Sequence, residues 1–193
     1  LHLCNKNMVK METTKITDSS KAKDNLLLEV CMAAYYEGDS IKTHYTPYQE
    51  IYKDTGSGFT LCTMLARSFA DIGDIVRGRD MFKRNNHDNV ENGLREVFKK
   101  IHSGLNKSKI IDYDRDGPEY YKLREDWWYA NRNDVWKAIT CKAKEADKYF
   151  RKTACNGGKR TEGYCRCNGD KPDADVPNID PPTYFDYVPQ YLR

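Results

Sequence analysis

Apolar positions along the chain recur at three- and four-residue intervals, in four long runs separated by polar stretches. That spacing gathers side chains on one side of an α-helix. The first run follows Asp18-Ser19-Ser20, a suitable N-cap, and contains Leu26, Leu27, Leu28, Val30, Cys31, Met32, Ala33 and Ala34. Apolar residues fall on every side of it, which predicts a helix near 21–36 buried all round. After Gly56-Ser57-Gly58, Leu61, Leu65, Phe69, Ile72 and Val76 predict a second helix near 60–77, with Gly78 as its stop. Val90, Leu94, Val97, Phe98, Ile101 and Leu105 predict a third near 89–104, exposing Arg95, Lys99 and Lys100. A fourth is expected over 120–150. The stretches 79–88, 104–119 and 155–186 are polar and rich in Gly, Asn, Asp and Pro. No strand alternation or repeat appears, so the expected fold is all-α: a helical bundle with long polar loops.

The fourth run holds all three tryptophans within ten positions, in "REDWWYANRNDVWKAITC" (124–141). On a helix, Leu123, Trp127, Ala130 and Cys141 share one face, and Trp128, Val135 and Ile139 form the adjacent stripe. Arg124 and Asn131 fall inside the apolar arc. A helix buried among several others, with a few polar groups bonded internally, fits this pattern better than a ligand-stacking platform or a cofactor box. Trp127 and Trp128 are therefore expected to be buried.

Composition narrows the function. A chain of 193 residues is long enough to bury a core, but apolar residues make up only 39% and charged residues 32%. Fourteen tyrosines suit a small wet core or a recognition surface. The net charge of +3 does not point to nucleic acid, so any anion site must be a local patch. Cys4, Cys31, Cys62, Cys141, Cys155, Cys165 and Cys167 include no pair at the spacing of a zinc site. Cys165-Arg166-Cys167 suits two bridges to different partners, and hence an oxidising compartment. No apolar run approaches the ~20 residues that span a bilayer. The proline of "DYVPQYLR" (186–193) stands where a helix begins, yet only about one turn follows, so a piece of a longer protein is expected.

Other motifs weaken under inspection. Asp112-Tyr113-Asp114-Arg115-Asp116-Gly117 opens like a calcium-binding EF-hand loop, but its twelfth residue is Leu123 where a bidentate carboxylate is required. It is read as a solvated acidic turn, and no metal or cofactor is expected. In "ARSFADIGDIVRG" (66–78), Arg67 with Asp71 and Asp74 with Arg77 stand at ion-pair spacing on a helix. His2, His44, His87 and His102 share no motif with a nucleophile, so nothing argues for an enzyme.

"LCTMLARSFADIGDIVRGRD" (61–80), "GLREVFKKIHSGLN" (93–106), "YYKLREDWWYANRNDVWKAITC" (120–141), "FRKTACNGGKRTEGYCRCNG" (150–169) and "PTYFDYVPQYLR" (182–193) occur in that order. With "LHLCNKNM" and "SSKAKDNLLLEVC" before them, these blocks resemble the Duffy-binding-like domain, alpha class. That class belongs to the erythrocyte membrane protein 1 (var) family of the malaria parasite Plasmodium falciparum. The resemblance covers residues 1–193. It implies a disulfide-linked helical fold, with 1–58 the end of a first subdomain and entry into the helical core. Residues 59–193 would be the helical second subdomain, cut before a third. It also implies an adhesion domain of a variant surface antigen on the extracellular face of the infected red cell, in a parent protein anchored by a distant membrane segment. Implied partners are a host cell-surface receptor or sulfated glycan and neighbouring domains of the parent, with no nucleic acid and no membrane contact by this fragment. A scaffold that presents variable loops and supports neighbouring binding domains is the alternative role.

Between "AITC" and "CRC" the chain is basic, with Lys142, Lys144, Lys148, Arg151, Lys152, Lys159, Arg160 and Arg166 partly balanced by Glu145, Asp147 and Glu162. A solvated helix face is one reading. A sulfate-binding patch of Lys152, Lys159 and Arg160, extended by Lys99, Lys100, Lys107 and Lys109, is the other, and spacing does not show whether the two groups meet. For the cysteines, a bridge between Cys62 and Cys141 would fix two core helices if they pack side by side, and the family pattern joins these positions. Cys165 and Cys167 point to opposite sides of an extended segment, so each should take a different partner from Cys31 and Cys155. A local bridge for Cys155, and Cys31 tying the long loop to the buried helix, are favoured. Cys4 is left over, and the resemblance places its partner upstream.

Overall fold

The computed structural model describes residues 16, 18–51, 60–81, 85–106, 108, 111–172 and 180–193. Among the described residues, four helices carry the fold: α1 (Ala22–Ile51), α2 (Leu61–Arg77), α3 (Asn85–Ser103) and α4 (Tyr121–Ile139). Short 3-10 turns follow at Ile111–Tyr113, Phe185–Tyr187 and Gln190–Leu192. Among the described residues only two isolated bridges pair backbone in β fashion, Cys155 with Lys159 and Gly163 with Arg166. The fold is the all-α, disulfide-linked bundle that the sequence pattern implies. No helix among the described residues is long and apolar enough to cross a membrane.

Helices α1, α2 and α4 form the core. The Ser68 hydroxyl donates to Glu37 at 3.0 Å and joins the middles of α2 and α1. Gly73 of α2 lies against the Trp128 ring of α4, and Arg124 near the start of α4 reaches the last carbonyls of α2. Helix α2 therefore runs antiparallel to α4. At one end α3 crosses the bundle, where Phe98 meets Trp127 edge to face at 6.1 Å. Trp127, Trp128 and Trp136 are all buried, and Phe69 packs between the last two with ring centroids 5.2 Å from each. The tryptophans are scaffold.

The ends of α2 follow its sequence. The Thr60 hydroxyl accepts the Thr63 N–H at 3.3 Å. Gly78 takes the left-handed conformation at φ 71°, and Arg79 N–H closes the turn onto Asp74 at 2.8 Å. Two other boundaries depart from expectation. Helix α1 runs through Gly38 to Ile51 rather than stopping near 36. Gly38 is no terminator: a Cβ there would collide with the Ile139 carbonyl, so glycine lets α1 and α4 touch backbone to backbone. Helix α4 stops at Ile139 rather than near 150. The Thr140 hydroxyl donates to the Trp136 carbonyl at 2.6 Å, and Arg166 donates to the Lys137 carbonyl at 2.6 Å. A residue from a later loop thus takes over a carbonyl that a continuing helix would have used. At the other end of α4, the Asp116 carboxylate accepts the N–H groups of Lys122 and Leu123 at 2.7 and 2.8 Å. The acidic turn is a helix cap.

Candidate adhesion surface

The C-terminal segment is bound to the core by buried charge. Arg132 donates to both oxygens of Asp186 at 2.8 Å each and to the Thr183 carbonyl at 2.9 Å. Trp128 Nε1 adds a third bond to the same carboxylate at 2.9 Å. Arg77 joins through the Asp186 carbonyl and through Asp74 at 3.0 Å. Arg124, fully buried on α4, donates to Val76 O at 2.6 Å and forks onto Glu91 at 2.6 and 2.9 Å. Each buried cation is matched by an anion and by carbonyls, which is the condition for burying charge without a large penalty. Arg193 reaches Asp71 at 2.9 Å and also pairs with Asp74. Burial pushes the Asp71 carboxyl up to about 6, against the attraction of Arg193. Asp74 is pushed up by the same cause.

This network places Tyr184. Its ring lies 5.2 Å from the Arg132 guanidinium on one side and is otherwise exposed. Beyond it, two disulfides fasten the loops that follow α4. Cys62 at the start of α2 is bonded to Cys165, and Cys155 to Cys167. Further bonds hold the backbone, Tyr164 N–H to Lys144 O at 2.9 Å and Cys165 N–H to Asp147 O at 3.1 Å. Between this stapled loop and the C-terminal segment lies an open, polar hollow of about 450 Å³. Thr153, Asn156, Asn168, Asp180 and Tyr184 are among the residues that line it. Lys152, Lys159 and Arg160 neighbour it in sequence, and all three are exposed. Hydrogen-bonding groups, one aromatic face and nearby cations can together take up a hydroxylated or sulfated ligand.

Among the described residues, the two halves of the sequence-read patch do not come together. Lys99 is exposed and Lys100 half-buried near the end of α3, where Lys100 Nζ donates to the Ile16 carbonyl at 2.6 Å. That end of α3 meets the start of α4, since His102 packs on Tyr120 at 5.5 Å. Lys152, Lys159 and Arg160 follow the other end of α4, whose 19 residues span about 28 Å. Lys107 and Lys109 lie outside the described residues. Arg166, read as part of the basic surface, is buried, and its guanidinium is spent on Lys137 O and Thr140 Oγ1.

The cysteine pairing also needs correction. Cys62 is joined to Cys165, not to Cys141, because α4 ends before Cys141 and Arg166 draws the Cys165–Cys167 segment against that end. Cys31 does not tie the loop to α1; it and Cys141 remain half-buried thiols, and burial pushes the Cys31 thiol up to about 12. Cys165 and Cys167 do take different partners, and Cys155 does bridge locally. Cys4 lies outside the described residues. Sequence reasoning missed Asp186 and Arg132 as an ion pair. The signal available was Arg132 itself, one position from the apolar arc of the tryptophan helix.

The profile of the Duffy binding domain matches residues 1–193. The chain is 40% identical to the crystal structure of the NTS-DBL1(alpha-1) domain of Plasmodium falciparum membrane protein 1 (PfEMP1), varO strain, with a TM-score of 0.74. That match covers 99% of this chain and 40% of that one. It is 28% identical to an ICAM-1-binding PfEMP1 DBLbeta domain, TM-score 0.69, covering 99% of this chain and 39% of that one. The Duffy receptor beta form of Plasmodium knowlesi is 26% identical over 186 residues, 94% of this chain and 13% of the receptor. The chain thus spans a minor part of each of these relatives. The helices around a tryptophan-rich core, a disulfide-stapled loop and these matches lead to one conclusion: the chain belongs to the Duffy binding domain family.

Proposed function

We propose that the chain is part of an adhesion domain of a variant surface antigen, displayed on the extracellular face of the infected red cell and binding a host-cell receptor or sulfated glycan. The observation that carries this reading is the hollow beside Tyr184, with exposed Lys152, Lys159 and Arg160 on a loop held by disulfides. A surface fixed by the scaffold loses little entropy when it binds, and side chains there can vary without disturbing the helices. That a related DBLbeta domain is ICAM-1-binding supports a receptor partner of some kind. The division into the end of one subdomain (1–58) and a helical second subdomain (59–193) belongs to the same proposal. A screen of this chain against red-cell and endothelial glycans and receptors, over a salt series, tests it. Salt-dependent capture by a sulfated glycan or a receptor is expected; absence of any capture, by this chain and by the longer domain, would refute it.

The scaffold reading is favoured by one feature. Leu28, Met32 and Tyr36 stand four residues apart along α1 and are exposed, an apolar stripe suited to a neighbouring segment of the parent. Replacing Leu28 and Met32 by Lys should leave the isolated chain folded but loosen its packing in the longer domain, read by hydrogen exchange on α1.

A further inference from the structure

Cys-Asn-Gly occurs twice in the chain, at 155–157 and at 167–169, and the Cys155–Cys167 disulfide joins the two copies. Each copy begins a tight turn. Gly158 N–H donates to the Cys155 carbonyl at 3.1 Å, and Gly157 has φ 85°, as the third residue of a type II turn requires. Asp170 N–H donates to the Cys167 carbonyl at 3.1 Å, with Asn168 at φ 56° and Gly169 at φ 70°, the two positive values of a type I′ turn. In both turns the closing bond links the ends and leaves the middle peptide free. Among the described residues, neither Gly157 N–H nor Gly169 N–H has a hydrogen-bond partner, and neither does the side chain of Asn156 or Asn168. Both asparagines are exposed and line the hollow.

We propose that Asn156 and Asn168 are sites of spontaneous deamidation, favoured by these two turns. The Gly157 amide nitrogen attacks Cγ of Asn156, forming an N–Cγ bond as the Cγ–Nδ2 bond breaks. The nitrogen's proton goes to the leaving group, which departs as ammonia. The resulting succinimide is opened by water at either carbonyl, giving aspartate or isoaspartate. One water is consumed, one ammonia is released, and nothing is oxidised or reduced. Gly169 does the same at Asn168. Glycine leaves the attack unhindered because it carries no Cβ. Each conversion places one negative charge at the hollow; two take the formal net charge from +3 to +1 (3 − 2). The isoaspartate route also lengthens the backbone by one carbon, at Asn156 inside the loop that the disulfide closes and at Asn168 just beyond it.

The chain contains its own control. A third Asn-Gly pair, Asn92-Gly93, lies inside α3, where the Gly93 N–H is engaged by the helix ladder and reaches its neighbour's side chain only when the helix opens. The fold therefore ranks three identical dipeptides. Folded, oxidised protein would be held in mildly alkaline buffer, sampled over time, digested and read by mass spectrometry with isoaspartyl methyltransferase labelling. Conversion at Asn156 and Asn168 is expected to outrun that at Asn92 by roughly tenfold or more, the protection that even a modest opening cost confers. In the reduced chain unfolded in guanidinium the three rates should converge. N156Q and N168Q should each remove one signal and leave the other. Equal rates at all three positions in the folded protein, or turns that stay unconverted while the unfolded chain converts, would overturn the assignment. Neither result depends on whether the hollow binds a glycan.

Discussion

The two ends of α4 are secured by different chemistry. Its tryptophan-rich body is joined to the C-terminal segment by the buried Arg132–Asp186 pair, and its first turn to α3 by Arg124 with Glu91, while Arg77 of α2 pairs with Asp74 beside them. Past its C-terminal end, the loops over 141–172 bury few large apolar side chains and are held mainly by two disulfides and short turns, with one buried cation, Arg166, tied to the helix end and to Asp170. Charge pairs fix side chains in one geometry but demand that every partner stay in place. Disulfides hold backbone whatever the nearby side chains are. On the proposed reading, a surface that varies while keeping its shape is better built the second way, and the candidate hollow lies on that side.

If this contrast is right, the largest loss should come from the longest covalent closure. The Cys62–Cys165 bridge closes a separation of 103 residues, and Cys62→Ala with Cys165→Ala should cost ~4–5 kcal/mol in the chain-entropy picture. The Cys155–Cys167 pair closes 12 and should cost ~3 kcal/mol, while Cys31→Ser should leave the disulfide map unchanged. Denaturant unfolding with non-reducing peptide mapping reads both. A Cys62–Cys141 link in that map would undo the assignment of the loop end.

The ionic end should break differently. Asp186→Ala strands the buried Arg132 and the Trp128 N–H together, and should cost ~3–5 kcal/mol. Replacing Arg132 and Asp186 together by Met and Leu should recover much of that. A double variant as unstable as Asp186→Ala would show that the charge pair itself, rather than the avoidance of a stranded charge, holds the segment.

Smaller effects sharpen the picture. Gly38→Ala forces α1 away from the Ile139 carbonyl and should cost ~1–3 kcal/mol, read as a lowered Tm, even though alanine is the better helix former. Asp71 gives a pH signature. Its folded pKa, about 6, lies above the unfolded value, so the folded state binds the proton more tightly. Its contribution to stability is full below pH ~4 and is lost as pH rises through about 6. Asp71→Asn should flatten that part of the stability profile while leaving the rest in place.

Much of the helical end was legible in the sequence, because a packed helix writes its burial as a three- and four-residue rhythm. Leu61 to Val76 with Thr60 and Gly78 at the ends gave α2 to within one residue. Where tertiary contact overrides local preference, that rhythm misleads. The pattern predicts an end to the first helix near 36, and only α4 packed against Gly38 reveals why glycine stands there. "AITCKAKEAD" reads as more helix, but Arg166 from a distant loop caps α4 instead. The loop end carries no periodicity at all. Seven cysteines allow many pairings, and choosing among them needed the end of α4 placed correctly. The basic residues were visible, but their division between the two ends of one helix was not.

On the proposed reading, the stapled loop, rather than the α3 end, is the adhesive face. Retention on a sulfated-glycan column, measured for two charge-reversed variants that keep their helical signal, tests it most directly. Replacing Lys152, Lys159 and Arg160 by Glu should abolish salt-dependent retention, while replacing Lys99 by Glu should leave it nearly intact. The opposite pattern, retention lost with Lys99 and kept without the loop cations, would contradict the account.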